Sequence, residues 1–217
     1  MIPLVILGAS GTARDILDWV PSLAAAGHEY RVVGLLDDDP TKRGTVIDDV
    51  PVIGRLDDAS QWPNCRYANA LGGPRSYRHR ADMLARTALT DDRFQTIVHP
   101  QAWVSSRAVL GAGCLIYPFA FIGPDVRIGR HVTILSHSSV NHACVIGDHT
   151  ILAAHTALAG GVMLDDHCYV GMSASIIGDT HIGRGAMIGM GSIVRHDIPA
   201  DAVVGGNPAH RLQPGNQ

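Results

Sequence analysis

The chain has 217 residues, with 17 Lys and Arg against 20 Asp and Glu, for a formal charge of −3. That balance excludes a basic nucleic-acid binder on bulk electrostatics, since such domains carry a marked cationic excess. Hydrophobic residues make up 46%, charged residues 17% and aromatics 5%, so an ordered core of aliphatic and small side chains is expected rather than disorder.

The stretch between Arg107 and Asp125 is uncharged but broken by three glycines and two prolines, and it falls short of the roughly 20 apolar residues of a membrane span. The opening Met-Ile-Pro-Leu-Val-Ile-Leu-Gly lacks the basic segment of a signal peptide. Cys65, Cys114, Cys144 and Cys168 show no CxxC pair or zinc-ligand spacing. A cytoplasmic protein with reduced thiols and no membrane or nucleic-acid partner is expected.

Residues 2 to 7 form an apolar β-type run that ends in Gly8-Ala9-Ser10-Gly11, and a helical pattern follows with Ala13, Ile16, Leu17 and Val20 on one face. A second run, Arg31 to Leu36, stops at Asp37-Asp38-Asp39-Pro40. A third, Tyr67 to Leu71, stops at Gly72-Gly73-Pro74 and leads into a helix reaching about Thr87. Strands separated by helical segments imply a small Rossmann-like parallel sheet over residues 1–97. Ligands of such sheets sit beyond the carboxyl ends of the strands, here Ser10, Asp37 and Gly72. The first loop departs from the GxGxxG dinucleotide fingerprint, with Ser10 and Ala13 in place of its second and third glycines. Its backbone N–H groups still suit a phosphate at a helix start.

Residues 98–217 carry the strongest signal. A step of six from Val104 reads Val104, Leu110, Ile116, Ile122, Ile128, Ile134, Val140, Ile146, Leu152, Leu158, Leu164, Val170, Ile176, Ile182, Ile188 and Val194, sixteen positions without a miss. Four residues after each stands a small or β-branched side chain, from Ala108 and Cys114 to Ser192 and Ile198. One short strand and one turn per hexapeptide, with three faces to a coil of 18 residues, gives a β-helix of about five coils.

Stacking residue n over n + 18 sorts the histidines. His131, His149 and His167 fall in one column and His137 and His155 in another, at turns where solvated polar residues are expected. His142 holds a different hexapeptide position, and one coil on from it is Gly160. An imidazole, with an ordinary pKa near 6.5, suits proton removal in acyl transfer, and a bare glycine N–H suits a developing oxyanion.

The repeat resembles the hexapeptide-repeat, left-handed parallel β-helix acyltransferases, and the left hand is what that resemblance implies. With the Gly-Ala-Ser-Gly turn, Leu36-Asp37-Asp38, His99-Pro100 and Gly205-Gly206-Asn207-Pro208-Ala209, nearly the whole chain is similar to the sialic-acid O-acetyltransferase-like and nucleotide-amino-sugar N-acetyltransferase family, which includes the bacillosamine-pathway and GDP-perosamine enzymes. The resemblance implies a homotrimer serving surface-glycan or lipopolysaccharide synthesis. Its α/β domain would hold a UDP- or GDP-linked amino-dideoxy sugar, and its groove between β-helices acetyl-CoA. Ser10, Gly11, Thr12, Asp37, Asp38 and Gly72 would contact the sugar nucleotide, and Ile151, Met172 and Met190 would line the acetyl-CoA groove. His142 would act as general base and the Gly160 amide would face the thioester oxygen. No metal is expected.

The chain departs from the family at Ala143, where an acidic residue often follows the base, at Thr12, where many members have His, and at Ile151, where the bacillosamine enzyme has His. Asn141 or a neighbouring subunit is left to orient the ring. A sugar O-acetyltransferase, a metal-dependent hydratase of the carbonic-anhydrase type and a non-catalytic sugar-nucleotide sensor stand as alternatives.

Overall fold

The computed structural model describes residues 1–212; the tail 213–217 of the expected second domain lies outside the described residues. The chain opens with β1 (Ile2–Leu7), α1 (Gly11–Ala25), β2 (Tyr30–Leu36), β3 (Val46–Ile47), β4 (Val50–Gly54) and β5 (Arg66–Asn69), and the sheet order is β3-β4-β2-β1-β5. β1 lies parallel to β2 and β5, and β2 parallel to β4. The sequence pattern marks three strands. The structure adds an antiparallel edge pair, β3 with β4, turned at Asp48-Asp49 with both residues at positive φ. α1 buries Ala13, Ile16, Trp19 and Leu23, so Trp19 and Leu23 complete the face while Leu17 and Val20 are only partly covered.

The helix expected to reach Thr87 is shorter. A single 3-10 turn at Tyr77–His79 precedes α2 (Arg80–Ala85). The reason is tertiary: the Tyr77 hydroxyl and the Arg78 guanidinium both donate to the Gly185 carbonyl, at 3.0–3.1 Å, pinning this stretch to the later part of the chain.

From Ile97 onward the chain winds into a parallel β-helix of two-residue strands, which fits the left-handed coil of the resembled family. Face one runs from Trp103–Val104 to Ile193–Val194, face two from Val109–Leu110 to His181–Ile182, and face three from Ile97–Val98 to His210–Arg211. Register follows the expected coil: Ile122 pairs with Val104 and Val140, and Leu152 with Ile134 and Val170.

The sixfold aliphatics fill the interior. From Ile116 to Val194 none is more than 4% exposed, each contributing roughly 1.5–3 kcal/mol by burial. Val104 and Leu110, in the first coil, are partly buried. Cys114, Cys144 and Cys168 occupy small inward positions, fully buried and unpaired. The N-terminal sheet docks on face three: Trp19 of α1 meets Tyr117 edge-on at 4.4 Å, and the Tyr117 hydroxyl donates to Asp15 at 2.9 Å. No helix among the described residues is long and apolar enough to cross a membrane.

Candidate active site

The ends of β1, β2 and β5 open into a cleft of two lobes. The larger, about 510 Å³, is lined by Gly8, Ser10, Asp37, Asp38, Gly72 and Arg75 among others. The smaller, about 250 Å³, shares Ser10 and Gly72 and adds Gly11 and Thr12 from the first turn of α1. Its far wall is face three of the coil, through Thr133, Leu135, Ile151 and Tyr169. All six residues expected to contact a sugar nucleotide thus line one cleft, of a size suited to a small ligand. Gly72 sits at φ +99°, and a Cβ there would meet Arg80 Cδ at 3.0 Å, so both backbone and packing call for glycine.

The two carboxylates are less free than the sequence suggests. Asp37 accepts from the Ala9 N–H at 2.7 Å, the Lys42 ammonium at 3.1 Å and the Asp39 N–H at 2.9 Å, tying the first loop to the end of β2. Asp38 accepts from the Leu56 N–H at 3.2 Å and pairs with Arg86, with Arg55 at 3.7 Å. Their first task is structural, and their charge is largely balanced in place.

His142 and Gly160 meet at the corner between faces one and two. The imidazole lies close against Gly160: a Cβ there would fall 2.5 Å from Nε2. The Gly161 N–H donates to the His142 carbonyl at 2.9 Å, locking the two turns together. The ring is exposed and has no hydrogen-bond partner among the described residues. Asn141 does not orient it; its Nδ2 donates instead to the Leu158 carbonyl at 2.7 Å. Ala143 takes positive φ, 58°, at the turn.

The residues expected in an acetyl-CoA groove divide. Met172 and Met190 stack at the corner between faces three and one, linked by the Gly191 N–H to Met172 carbonyl bond at 2.8 Å, and are 49% and 79% exposed. Ile151 is not with them. It is buried in the Thr133–Ile151–Tyr169 column, facing Ser10, Thr12 and Gly72 across the smaller lobe. The correction follows from covering: the N-terminal sheet packs over face three and turns that column into a cleft wall. Thr133 and Tyr169 were legible by the same arithmetic, since 151 − 18 = 133 and 151 + 18 = 169.

The histidine columns form as the spacing requires, with rings 5.2 Å apart from His131 to His149, 5.1 Å from His149 to His167 and 4.9 Å from His137 to His155. The expectation of solvated rings holds for His137 and His155, which are exposed, and fails for the first column. Phe94 packs edge-on to His131 at 4.5 Å, and Arg80 and Asp91 come from the same covering segment. Burial, with Arg80 beside it, pushes His131 down to about 4. Burial, with His131 stacked on it, pushes His149 down to about 3, and burial lowers His167. Among the described residues no group of three His, Cys, Asp or Glu side chains is placed to hold a metal ion.

A family model described as bacterial transferase hexapeptide (six repeats) matches residues 107–142. No curated protein matches the chain. Among solved structures, a histidine-to-alanine form of the GDP-perosamine N-acetyl transferase from Caulobacter crescentus, in complex with CoA and GDP-perosamine, superposes with a TM-score of 0.83 at 28% identity over 97% of each chain. The acetyltransferase domain of PglB from Neisseria gonorrhoeae, in complex with acetyl coenzyme A, gives 0.82 at 24% identity over 97% of this chain and 98% of that one. WeeI from Acinetobacter baumannii gives 0.79 at 24% over 98% and 100%. The last two likenesses concern the fold.

Proposed function

We propose that this hexapeptide-repeat acyltransferase carries an acetyl group from acetyl-CoA to the 4-amino group of a UDP- or GDP-linked amino-dideoxy sugar, a step suited to surface-glycan synthesis. The observation that carries the reading is the His142 imidazole seated on the Gly160 backbone. It sets a proton acceptor beside a glycine amide, the two groups that attack of an amine on a thioester calls for. The 28% identity over nearly the full length to an N-acetyl transferase bound to CoA and GDP-perosamine supports it.

In this mechanism the sugar amine attacks the thioester carbonyl carbon directly. His142 takes the proton released from nitrogen. The Gly160 N–H, which has no partner among the described residues, donates to the carbonyl oxygen as it becomes an oxyanion. Collapse expels the CoA thiolate, and the amide product and CoA leave. The Rossmann-like sheet seats the nucleotide through Ser10, Gly11, Thr12, Asp37, Asp38 and Gly72, and Met172 and Met190 flank the extended arm of acetyl-CoA.

The same geometry supports assembly with further copies, for which we propose the homotrimer. The cleft opens against face three, while His142 stands at the corner between faces one and two, across the coil from it. In this reading the base that serves a sugar held in one copy's cleft comes from a neighbouring copy.

The test is free-thiol release from acetyl-CoA with UDP-, GDP- and dTDP-linked 4-amino-4,6-dideoxy sugars, each beside its 4-hydroxy counterpart. Release with one amino sugar and not its hydroxy partner is expected. Release with the hydroxy partner alone gives the O-acetyltransferase instead, and none across the panel overturns the reading.

A further inference from the structure

Arg80 stands out as a charge without a counter-charge. It is fully buried, and among the described residues no carboxylate lies within ion-pair distance of it. Its guanidinium donates to the His131 carbonyl and, through Nη2, to Thr133 Oγ1 at 2.7 Å, while its Nε has no partner. Burial lowers it to about 10, which still leaves it cationic at neutral pH. A buried unpaired cation is costly unless something compensates it.

Thr133 lies between that cation and the cleft. It is 5% exposed and lines the smaller lobe. A hydroxyl has one proton to give. Because Arg80 occupies an acceptor site on Oγ1, and no described residue accepts from the Thr133 hydroxyl, the proton is left for the lobe. A hydroxyl held by a cation is also a stronger donor than a neutral one.

Across the lobe stands the first turn of α1, a helix of 15 residues with no acidic residue in that turn, so its N–H groups and dipole add to the same potential. Gly72 closes the side, with the Arg80 stem packed directly behind it. The larger lobe differs in its acceptors: Asp37 and Asp38, already bonded in place, stand there beside Arg75 and suit the hydroxyl and N–H groups of a nucleoside.

We propose that Thr133 is a substrate-contacting residue that donates its hydroxyl proton to a phosphate oxygen of the bound nucleotide, with Arg80 as the positioning residue behind it. The proposal rests on the nucleotide-sugar reading above and deepens it by fixing a direction: the diphosphate lies in the smaller lobe, against the coil, and the nucleoside in the larger. The ligand's negative charge then completes the environment that Arg80 lacks without it.

The experiment is calorimetric binding of UDP, GDP and dTDP, and of the matching nucleosides, to the wild type, Thr133→Val and Thr133→Ser. For the best-bound nucleotide, Thr133→Val is expected to weaken the diphosphate tenfold or more and the nucleoside less than twofold, and Thr133→Ser to restore the diphosphate. Unchanged diphosphate binding in Thr133→Val, or equal loss of diphosphate and nucleoside, overturns this assignment alone. A wild type that binds none of the three diphosphates overturns both this assignment and the nucleotide-sugar reading. If Thr133→Val does not fold, inorganic pyrophosphate is titrated against the diphosphate on the wild type. Competition supports the assignment, and its absence overturns it.

Discussion

Two of the three corners of the coil set their histidines in opposite surroundings. Between faces two and three, His131, His149 and His167 stack beneath Phe94, Arg80 and Asp91, and burial holds the first two uncharged down to pH 3–4. Between faces one and two, His142 stands in the open with only a glycine backbone behind it. The repeat decides where a ring is placed. What is folded over it decides whether it is buried away from water or left open to it. The covered column packs as a strut, and the proposed base stands at the bare corner.

The sharpest break in this comparison is His142→Ala. Turnover is expected to fall by about 10² to 10⁴, with the melting temperature and oligomeric state unchanged because the ring is exposed; steady-state thiol release and a thermal melt measure both. A variant as fast as the wild type would leave the two corners equal in chemistry.

Gly160→Ala comes next. Its added methyl has no room beside Nε2, so the imidazole is displaced, and a loss of about tenfold to a hundredfold in kcat is expected from misplacement. Retained kcat would mean that the ring's seat on this backbone is incidental.

The smallest effect belongs to the strut and appears in stability. The folded pKa values of His131 and His149 lie below that of an unfolded histidine, so the native state binds fewer protons. The stability held by the uncharged column is complete above about pH 6.5 and drains away as the pH falls toward 4. The melting temperature is expected to drop by on the order of 5 °C from pH 7 to pH 5. His149→Asn, which suits the positive φ of 60° at that turn, removes one of the titrating rings and shrinks the drop. An identical pH profile in the variant would show that the column bears none of it.

Much of the coil was readable because its information is periodic and local. A step of six names the inward aliphatics, and a step of 18 brings His142 to Gly160 and stacks His131 on His149. The Gly72 and Asp37 loops were legible as strand ends. What escaped depends on contacts made far along the chain. Nothing near His131 in sequence announces that Phe94 and Arg80 will cover it, and nothing near Ile151 announces that α1 will face it. β3 was missed because two residues beside an Asp48-Asp49 turn give no periodicity. The helix after Gly72 starts late, at Arg80, because Tyr77 and Arg78 are held by a carbonyl more than a hundred residues on. Nothing in the sequence announces that the oxygens of Asp37, marked as a ligand contact, also accept from Ala9 in the first loop and from Asp39 in its own.

The end of face three bears on how such a molecule stays discrete. Its strands run parallel until Val203–Gly205, where the chain reverses and His210–Arg211 pairs antiparallel with it. The turn between them is bonded back to Ile193, whose N–H reaches the Gly206 carbonyl and whose carbonyl receives the Ala209 N–H. A stack of parallel rungs offers at its last coil a row of amides and carbonyls in the register that another such stack would need. Reversing direction at that point changes the hydrogen-bond pattern presented outward, so this end no longer matches the first rung of a second molecule. The closing turn is thus expected to work against end-to-end stacking on this face.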